Sequence, residues 1–382
     1  MVDGVQFAGI ASGIKVKGLD LGLVFFKEDM HVLSLYTRNE VKAAHILYNE
    51  KIENNTVRAL LVNSGCANAC TGSEGVSDLR TISQGLSAIL NIEKEKILFA
   101  STGVIGKRLP VDTVKNALHE LVKNLSSEKT ETFARSIMTT DTFPKIVQEV
   151  FRGNREYHIT GVAKGAGMIN PLFATMLTFV FTDYPVSPGS IKNLFSIAGK
   201  ETFERVSVDG ECSTNDTVML FTKSGEEDLS AIETFKEKLF YVMRKLSLMI
   251  VKDGEGATRV IHITVNGARK KEYAERIARR IATSPLTKTA FFGCDPNWGR
   301  IIAAAGDAGV PVNASKVEII LQGEVLAREG LEVPFDEQEM KKKMDEEELE
   351  LVLNLYEGKE SYDMYTTDFT YDYIKINASY RT

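Results

Sequence analysis

Cysteine is scarce in this chain. The four present (Cys66, Cys70, Cys212, Cys294) are too few to staple 382 residues, and Cys66-x-x-x-Cys70 has no second pair to complete a zinc site. Free thiols are therefore expected. None of the five histidines (His31, His45, His119, His158, His262) lies in an HExxH or GxSxG setting, so nothing points to a zinc protease or a serine hydrolase, and no metal site is expected. Positive charge is not in surplus: 46 Lys and Arg stand against 52 Asp and Glu, for a net charge of −6. Neither nucleic acid nor an anionic membrane is then an expected partner, while small charged metabolites remain open. No window approaches 18 uninterrupted apolar residues, and the opening MVDGVQFAGIASGIK lacks a charged n-region followed by an apolar h-region. A cytoplasmic location is expected. Internal repeats, linkers and low-complexity segments are also lacking.

What is present is an ordinary globular composition, 43% apolar, at a length that suits about two domains. The chain is organised around KGAGMINPLFATMLTFVFTD, residues 164–183. Gly165 and Gly167 tolerate positive φ and Asn170-Pro171 reads as a turn, so the backbone bends sharply before an apolar run, Met176 to Phe181, that suits a strand buried on both faces. Thr175 sits at that junction. It reads either as the first residue of a buried strand or as a nucleophile. If the Ala174–Thr175 bond were cut, the new α-amino group, with an ordinary pKa near 8, could take the proton of its own hydroxyl.

Helical spacing of apolar residues predicts helices over 78–90, 113–125, 188–203, 230–252 and 272–283. Strands are expected at 56–62 and 97–100, followed by polar loops NSGCANACTG (63–72) and STGVIG (101–106), and a hairpin turns at Arg152-Gly153-Asn154. From Gly13 to Tyr36 short apolar segments read as strands joined by tight turns. VSVDGECSTNDTVMLF (206–221) reads as strand, polar loop, strand. The last eighty residues resemble a smaller α+β unit with strands near 317–321 and 349–355, a solvated mixed-charge face at 336–350, and a tail apolar enough to fold back onto the body.

Several of these strands end in loops of one character: 63–72, 101–106, 138–145, 164–175, 209–217 and 253–258 are rich in Thr, Ser, Gly and Asn. If they converge, they offer hydroxyl and backbone donors with Lys164 and Glu255 as fixed charges. That suits acyl transfer through a covalent intermediate on Thr175, with the charges gripping an amino-acid substrate at its two ends. A strand running into Ser-Thr-Gly has the construction of an oxyanion hole. Phosphate binding is the nearest rival, but neither KGAG nor STGVIG fits the Walker or dinucleotide glycine pattern.

The segments GIASGIK, NSGCANACTG, ASTGVIG, MTTDTFPK, KGAGMINPLFATMLTF, VDGECSTNDT, IVKDGEGAT, TSPLTKTAFFGCDPNWGRI and INASYRT together resemble the glutamate N-acetyltransferase/ornithine acetyltransferase family of arginine biosynthesis, nearly end to end. The resemblance implies an α/β (α+β) fold of the αββα layered type, with a smaller C-terminal α+β domain. It implies a self-processing enzyme of the N-terminal-nucleophile type, cut at Ala174–Thr175 into an α chain (1–174) and a β chain (175–382). The β chain would supply the rest of the core over about 175–285 and the smaller domain over about 286–382, and the chains would assemble as α2β2. Thr175 would carry the acetyl group from N-acetylornithine to glutamate, and Thr102 and Gly103 would form the oxyanion hole. Substrate contacts would fall on Thr139 (favoured over Thr140 and Thr142), Lys164, Thr175, Glu255, Asn377 and Thr382. No cofactor is implied, and use of acetyl-CoA as a second acetyl donor is left open.

Two departures from the family pattern stand out: Cys66 in place of an expected Asn, and Tyr-Thr-Arg-Asn (36–39) in place of a more hydroxyl-rich segment. Two other readings stay open: a self-processed amidohydrolase or aminopeptidase of related fold, and a non-catalytic small-molecule binding protein.

Overall fold

The computed structural model describes residues 1–52, 56–170 and 176–378. They fall into two compact units, the first from the described residues within 1–168, 172–204 and 211–250, the second from those within 169–171, 205–210 and 251–382.

The first unit contains, in chain order, β1 (Val5–Ile10), β2 (Leu21–Tyr36), α1 (Ala44–Asn49), β3 (Thr56–Cys66), α2 (Gly72–Leu90), β4 (Ile97–Val104), α3 (Val111–Lys123), α4 (Thr130–Ser136), β5 (Lys145–Arg152), β6 (Glu156–Lys164), β7 (Leu177–Pro185), α5 (Pro188–Thr202), β8 (Thr217–Lys223) and α6 (Ile232–Lys252). Its strands follow one hydrogen-bonded path, β4-β3-β2-β8-β7-β6-β5, with β1 on β2. That path makes two layers because β2 changes partners along its length. Leu21–Phe25 pair with β3, the register breaks between Phe25 and Met30, and Met30–Tyr36 pair with β8, with Met30 and His31 alone still paired to β3 as well. The polar Lys27-Glu28-Asp29 lies at that break, where a charged run costs least.

The layers meet through aromatic rings. Phe26 of the first lies 5.0 Å from Phe221 and 6.1 Å from Phe181 of the second, and Phe7 lies 5.4 Å from Phe181. These rings are buried, and each contributes about 1.5–3 kcal/mol by leaving water. On one outer face Leu79, Ile82 and Leu86 of α2 and Leu118 and Leu121 of α3 share a core with Ala59, Leu61 and Phe99. On the other, Phe235 of α6 stacks on Tyr184 at 4.7 Å. Gly161 admits the same helix closely, since a Cβ there would lie 2.6 Å from Val242 and Leu246 side-chain atoms. Helix, sheet, sheet, helix is the expected αββα order.

The second unit contains β9 (Val260–Ala268), α7 (Lys271–Ala282), α8 (Pro285–Phe292), α9 (Trp298–Gly306), β10 (Glu318–Leu321), β11 (Glu324–Arg328), β12 (Leu331–Glu332), α10 (Glu337–Met344), β13 (Glu348–Asn354), β14 (Glu360–Thr367) and α11 (Tyr371–Ala378). Its sheet runs β12-β11-β10-β13-β9-β14, and Ile277, Ile281 and Ile301 pack with Ile261, Ile263 and Leu351 in its core. The division falls at Val251 rather than near 286, because β9 pairs in parallel with β13 and α7 shares that core, so residues 251–285 belong to the smaller unit.

Three local expectations change. The loops expected from 63 and 101 begin later, since β3 continues to Cys66 and β4 to Val104; parallel pairing of Asn63 with Ser101, Ser64 with Thr102 and Gly65 with Gly103 keeps these polar residues in the sheet. Before β8, only an isolated bridge from Val206 to Tyr365 replaces the expected strand. The tail forms α11, with Tyr371 and Ile374 exposed, so side-chain hydrogen bonds hold it rather than apolar burial.

Candidate active site

In the first unit the polar residues gather where β4, β6 and β8 end or begin. Gly103 has φ +130°, and a Cβ there would lie 2.4 Å from the Gly65 carbonyl carbon and 2.5 Å from the Cys66 nitrogen. Only glycine lets these two strand ends approach so closely. Beside it Thr102 is buried, and its Oγ1 accepts a hydrogen bond from Lys164 Nζ at 3.3 Å. Lys164 closes β6 and reaches this hydroxyl from the other sheet layer, so the contact spans the mouth of the sandwich.

Asp141 is the hub of this cluster. Its carboxylate accepts from Lys145 Nζ at 2.8 Å, from the Thr139 amide at 2.9 Å and from the Gly165 amide at 2.7 Å, and lies 4.0 Å from Lys164 Nζ. Burial alone would raise its pKa. The charges of Lys164 and Lys145, with the hydrogen bonds from Lys145 and Thr139, outweigh that and hold it down at about 2. Asp141 is thus an anion that fixes the start of the Gly-rich turn and the Thr139 backbone together. Thr139 and Thr140 are half-buried and Thr142 is exposed, and the Thr139 amide bonded to Asp141 puts the favoured threonine beside the cluster.

Lys15 is a further cation here. Its Nζ donates to the Met138 carbonyl at 3.1 Å. Burial lowers its pKa, Asp20 and Asp141 oppose this, and Lys164 adds to it. Asp20 builds the loop that presents Lys15 by accepting from the amides of Ser12 (2.6 Å), Gly13 (3.0 Å) and Lys15 (2.9 Å). A Cβ on Gly65 would lie 2.6 Å from Lys15 Cγ.

Cys66 is buried, its Sγ 3.2 Å from the Lys107 carbonyl, and burial raises the thiol pKa. The thiol makes a structural bond at the position where an Asn is expected. Ala174 and Thr175 lie outside the described residues. Met176, next in the chain, has its amide bound to Asp216 Oδ1 at 3.1 Å.

In the second unit Glu255 is buried in the loop after α6, and Asn377 Nδ2 donates to its Oε2 at 2.9 Å and to the Tyr373 carbonyl at 3.1 Å. Two expected substrate contacts, 122 residues apart, are thus neighbours. Gly256, at φ +64°, permits it: a Cβ there would lie 2.5 Å from the Tyr373 nitrogen, and Thr370 Oγ1 donates to the Gly256 carbonyl at 2.6 Å. Thr382 lies outside the described residues.

Local sequence pattern marks no role for Lys15, Lys145 or Asp216, and Asp141 falls simply within the polar 138–145 loop. The available signal was an acidic residue bracketed by Thr and followed four residues later by Lys.

An αββα sandwich that buries paired charges and a threonine hydroxyl at its strand ends is the framework of an enzyme acting on small charged molecules. The chain belongs to the ArgJ family, whose model matches residues 6–382; this is the glutamate N-acetyltransferase/ornithine acetyltransferase family that the motifs resemble. It is 41% identical over 391 residues to the arginine biosynthesis bifunctional protein ArgJ of Desulfotalea psychrophila, covering 100% of both chains. It is 39% identical over 393 residues to the protein of the same name from Thermotoga neapolitana, covering 99% of each. A crystal structure of arginine biosynthesis bifunctional protein argJ from Bacillus halodurans is 33% identical and overlaps 52% of this chain and 97% of that one, with a TM-score of 0.49. Among the described residues no helix is long and apolar enough to cross a membrane.

Proposed function

We propose that this protein is a glutamate N-acetyltransferase that moves the acetyl group of N2-acetyl-L-ornithine to L-glutamate through an acetyl-Thr175 intermediate. The observation that carries this reading is the buried Thr102–Lys164–Asp141 cluster, at the strand ends where Met176 follows Thr175; the end-to-end match to relatives named for arginine biosynthesis supports it.

The enzyme first activates itself. Thr175 Oγ attacks the Ala174 carbonyl, the Ala174–Thr175 C–N bond breaks, and water hydrolyses the resulting ester to leave chains 1–174 and 175–382. The freed α-amine then takes the Thr175 hydroxyl proton while Oγ attacks the acetyl carbonyl of acetylornithine. Thr102 and Gly103 stabilise the oxyanion, ornithine leaves with the proton on its amine, and the amine of glutamate attacks the acetyl ester, whose C–O bond breaks while the amine's proton returns to Thr175 Oγ. Thr139, Lys164, Thr175, Glu255, Asn377 and Thr382 contact substrate. The name bifunctional borne by the relatives supports a second reaction, with acetyl-CoA as acetyl donor to glutamate. No cofactor is called for. The chains assemble as α2β2 in the cytoplasm.

Intact-mass analysis tests the reading. The parent is expected as two chains meeting at Ala174/Thr175 that form acetylglutamate from acetylornithine and glutamate, and Thr175→Ala as one uncut, inactive chain. Free acetate as the main product would instead assign the chain to the amidohydrolases.

A further inference from the structure

The segment Asn215-Asp216-Thr217 has no role in the reaction as described, yet it touches both halves of the first unit's cluster. Asn215 Nδ2 donates to the Ala67 carbonyl and to the Ser101 carbonyl, each at 2.7 Å, and so grips the strand end that carries Thr102 and Gly103. Asp216 Oδ1 accepts from the Met176 amide at 3.1 Å, and the Thr217 amide donates to the Met176 carbonyl at 3.0 Å. Met176 is therefore held on both sides by consecutive residues. Thr217 is itself tied down, its Oγ1 donating to the Asn215 carbonyl at 3.0 Å and lying 3.0 Å from His45 Nε2.

The carboxyl is kept at a cost. Asp216 is fully buried, and burial raises its pKa well above the usual carboxylate range, with the Met176 amide, Thr37, the Lys164 charge and Ser213 only partly opposing. An apolar side chain of that size would avoid the penalty, so the group is retained for something other than stability.

We propose that Asp216 is a positioning residue for Thr175: by accepting the Met176 amide it fixes the peptide unit that follows the nucleophile, while Asn215 fixes the Thr102–Gly103 strand end from the same three-residue bracket. The inference rests on the reading of Thr175 above. The bracket sets the distance between nucleophile and oxyanion hole for both self-cleavage and acetyl transfer, and a misplacement of about 1 Å in such a geometry costs on the order of 10² in rate.

Two full-chain variants test it. Asp216→Leu removes the acceptor while filling the same buried volume, and Asp216→Asn keeps an acceptor oxygen. Asp216→Leu is expected to stay folded with a modestly lowered thermal midpoint, the Met176 amide having lost its acceptor, yet to self-cleave and turn over about 10²-fold more slowly. Asp216→Asn is expected within about threefold of the parent in both rates, a rescue that a purely structural role does not give. Parental cleavage and turnover in Asp216→Leu overturns the proposal. So does a loss in Asp216→Asn as large as that in Asp216→Leu, because the acceptor geometry would then not be what matters. If Asp216→Leu does not fold, Asp216→Asn decides alone: near-parental rates support the bracket and slow ones overturn it. Thr175→Ala separates the two ideas, since a cut and active Thr175→Ala defeats the nucleophile itself, whereas an Asp216 failure beside an inert Thr175→Ala defeats only the bracket.

Discussion

Both units bury lysine, and Lys164 and Lys288 sit in opposite surroundings. Lys164 in the first lies beside a carboxylate: Asp141 is 4.0 Å away, already paired with Lys145 and held at a pKa of about 2. Lys288 in the second has no carboxylate paired with it among the described residues. Its Nζ donates to the Thr366 hydroxyl at 3.0 Å, to the Thr367 hydroxyl at 3.1 Å and to the Thr367 carbonyl, and it lies over the Phe369 ring. Burial lowers its pKa to about 7, with Asp368 and Asp209 only partly opposing. A cluster with a carboxylate inside preserves charge, which recognition of amino acids requires. A pocket of hydroxyls and a carbonyl holds a lysine well in either protonation state, which is what a structural tie requires.

The comparison breaks most visibly at Asp141. Asp141→Asn leaves Lys145 and Lys164 buried without their counter-charge, and loss of one partner from such a cluster costs about 3–5 kcal/mol. Denaturant unfolding is expected to show that loss together with abolished self-cleavage, and a variant as stable as the parent would mean the charges are not held by Asp141. Lys164→Met is the sharper probe, because Asp141 keeps Lys145. Stability should change by no more than about 1 kcal/mol, while kcat/KM for acetyl transfer falls about 10²-fold through lost substrate orientation. Equal stability and equal activity would make Lys164 another Lys288.

Much of the scaffold could be read directly. The helices at 188–202, 232–252 and 271–282 show sustained apolar periodicity, and the run after Thr175 has the continuous apolar character of a strand buried on both faces. The strand ends were less legible. Asn63-Ser64-Gly65 and Ser101-Thr102-Gly103 have loop composition, and only their pairing with each other keeps them in the sheet. Nor does local pattern reveal that β2 is one strand of 16 residues serving two layers, because its charged middle looks like a turn. For the site, Thr102, Gly103, Lys164, Glu255 and Asn377 lie in motifs that the family resemblance marks. Lys15 depends on its bond to Met138, 123 residues away, and Asp141 on the Gly165 amide, 24 residues on; a single sequence carries little trace of such pairings.

The smallest expected effect is a pH slope, and it separates the two lysines without touching catalysis. Lys288 titrates near 7 when folded and near 10.4 when unfolded. Below pH 7 both states carry the proton, so the cost of the buried charge is fully present and constant. Between about 7 and 10 the unfolded chain binds more protons than the folded one, so stability rises with pH. Asp141 runs the other way along the scale: its depressed pKa contributes stability that is complete above about pH 4 and is lost as pH falls toward 2. Subtracting the unfolding free energy of Lys288→Met from that of the parent cancels the other titrating groups. The difference is expected to grow in the parent's favour with a slope of about 1 kcal/mol per pH unit between pH 7 and pH 10, with transfer activity at neutral pH unchanged. A flat difference would mean that Lys288 keeps its proton throughout, and that its hydroxyl pocket preserves charge as well as the carboxylate cluster does.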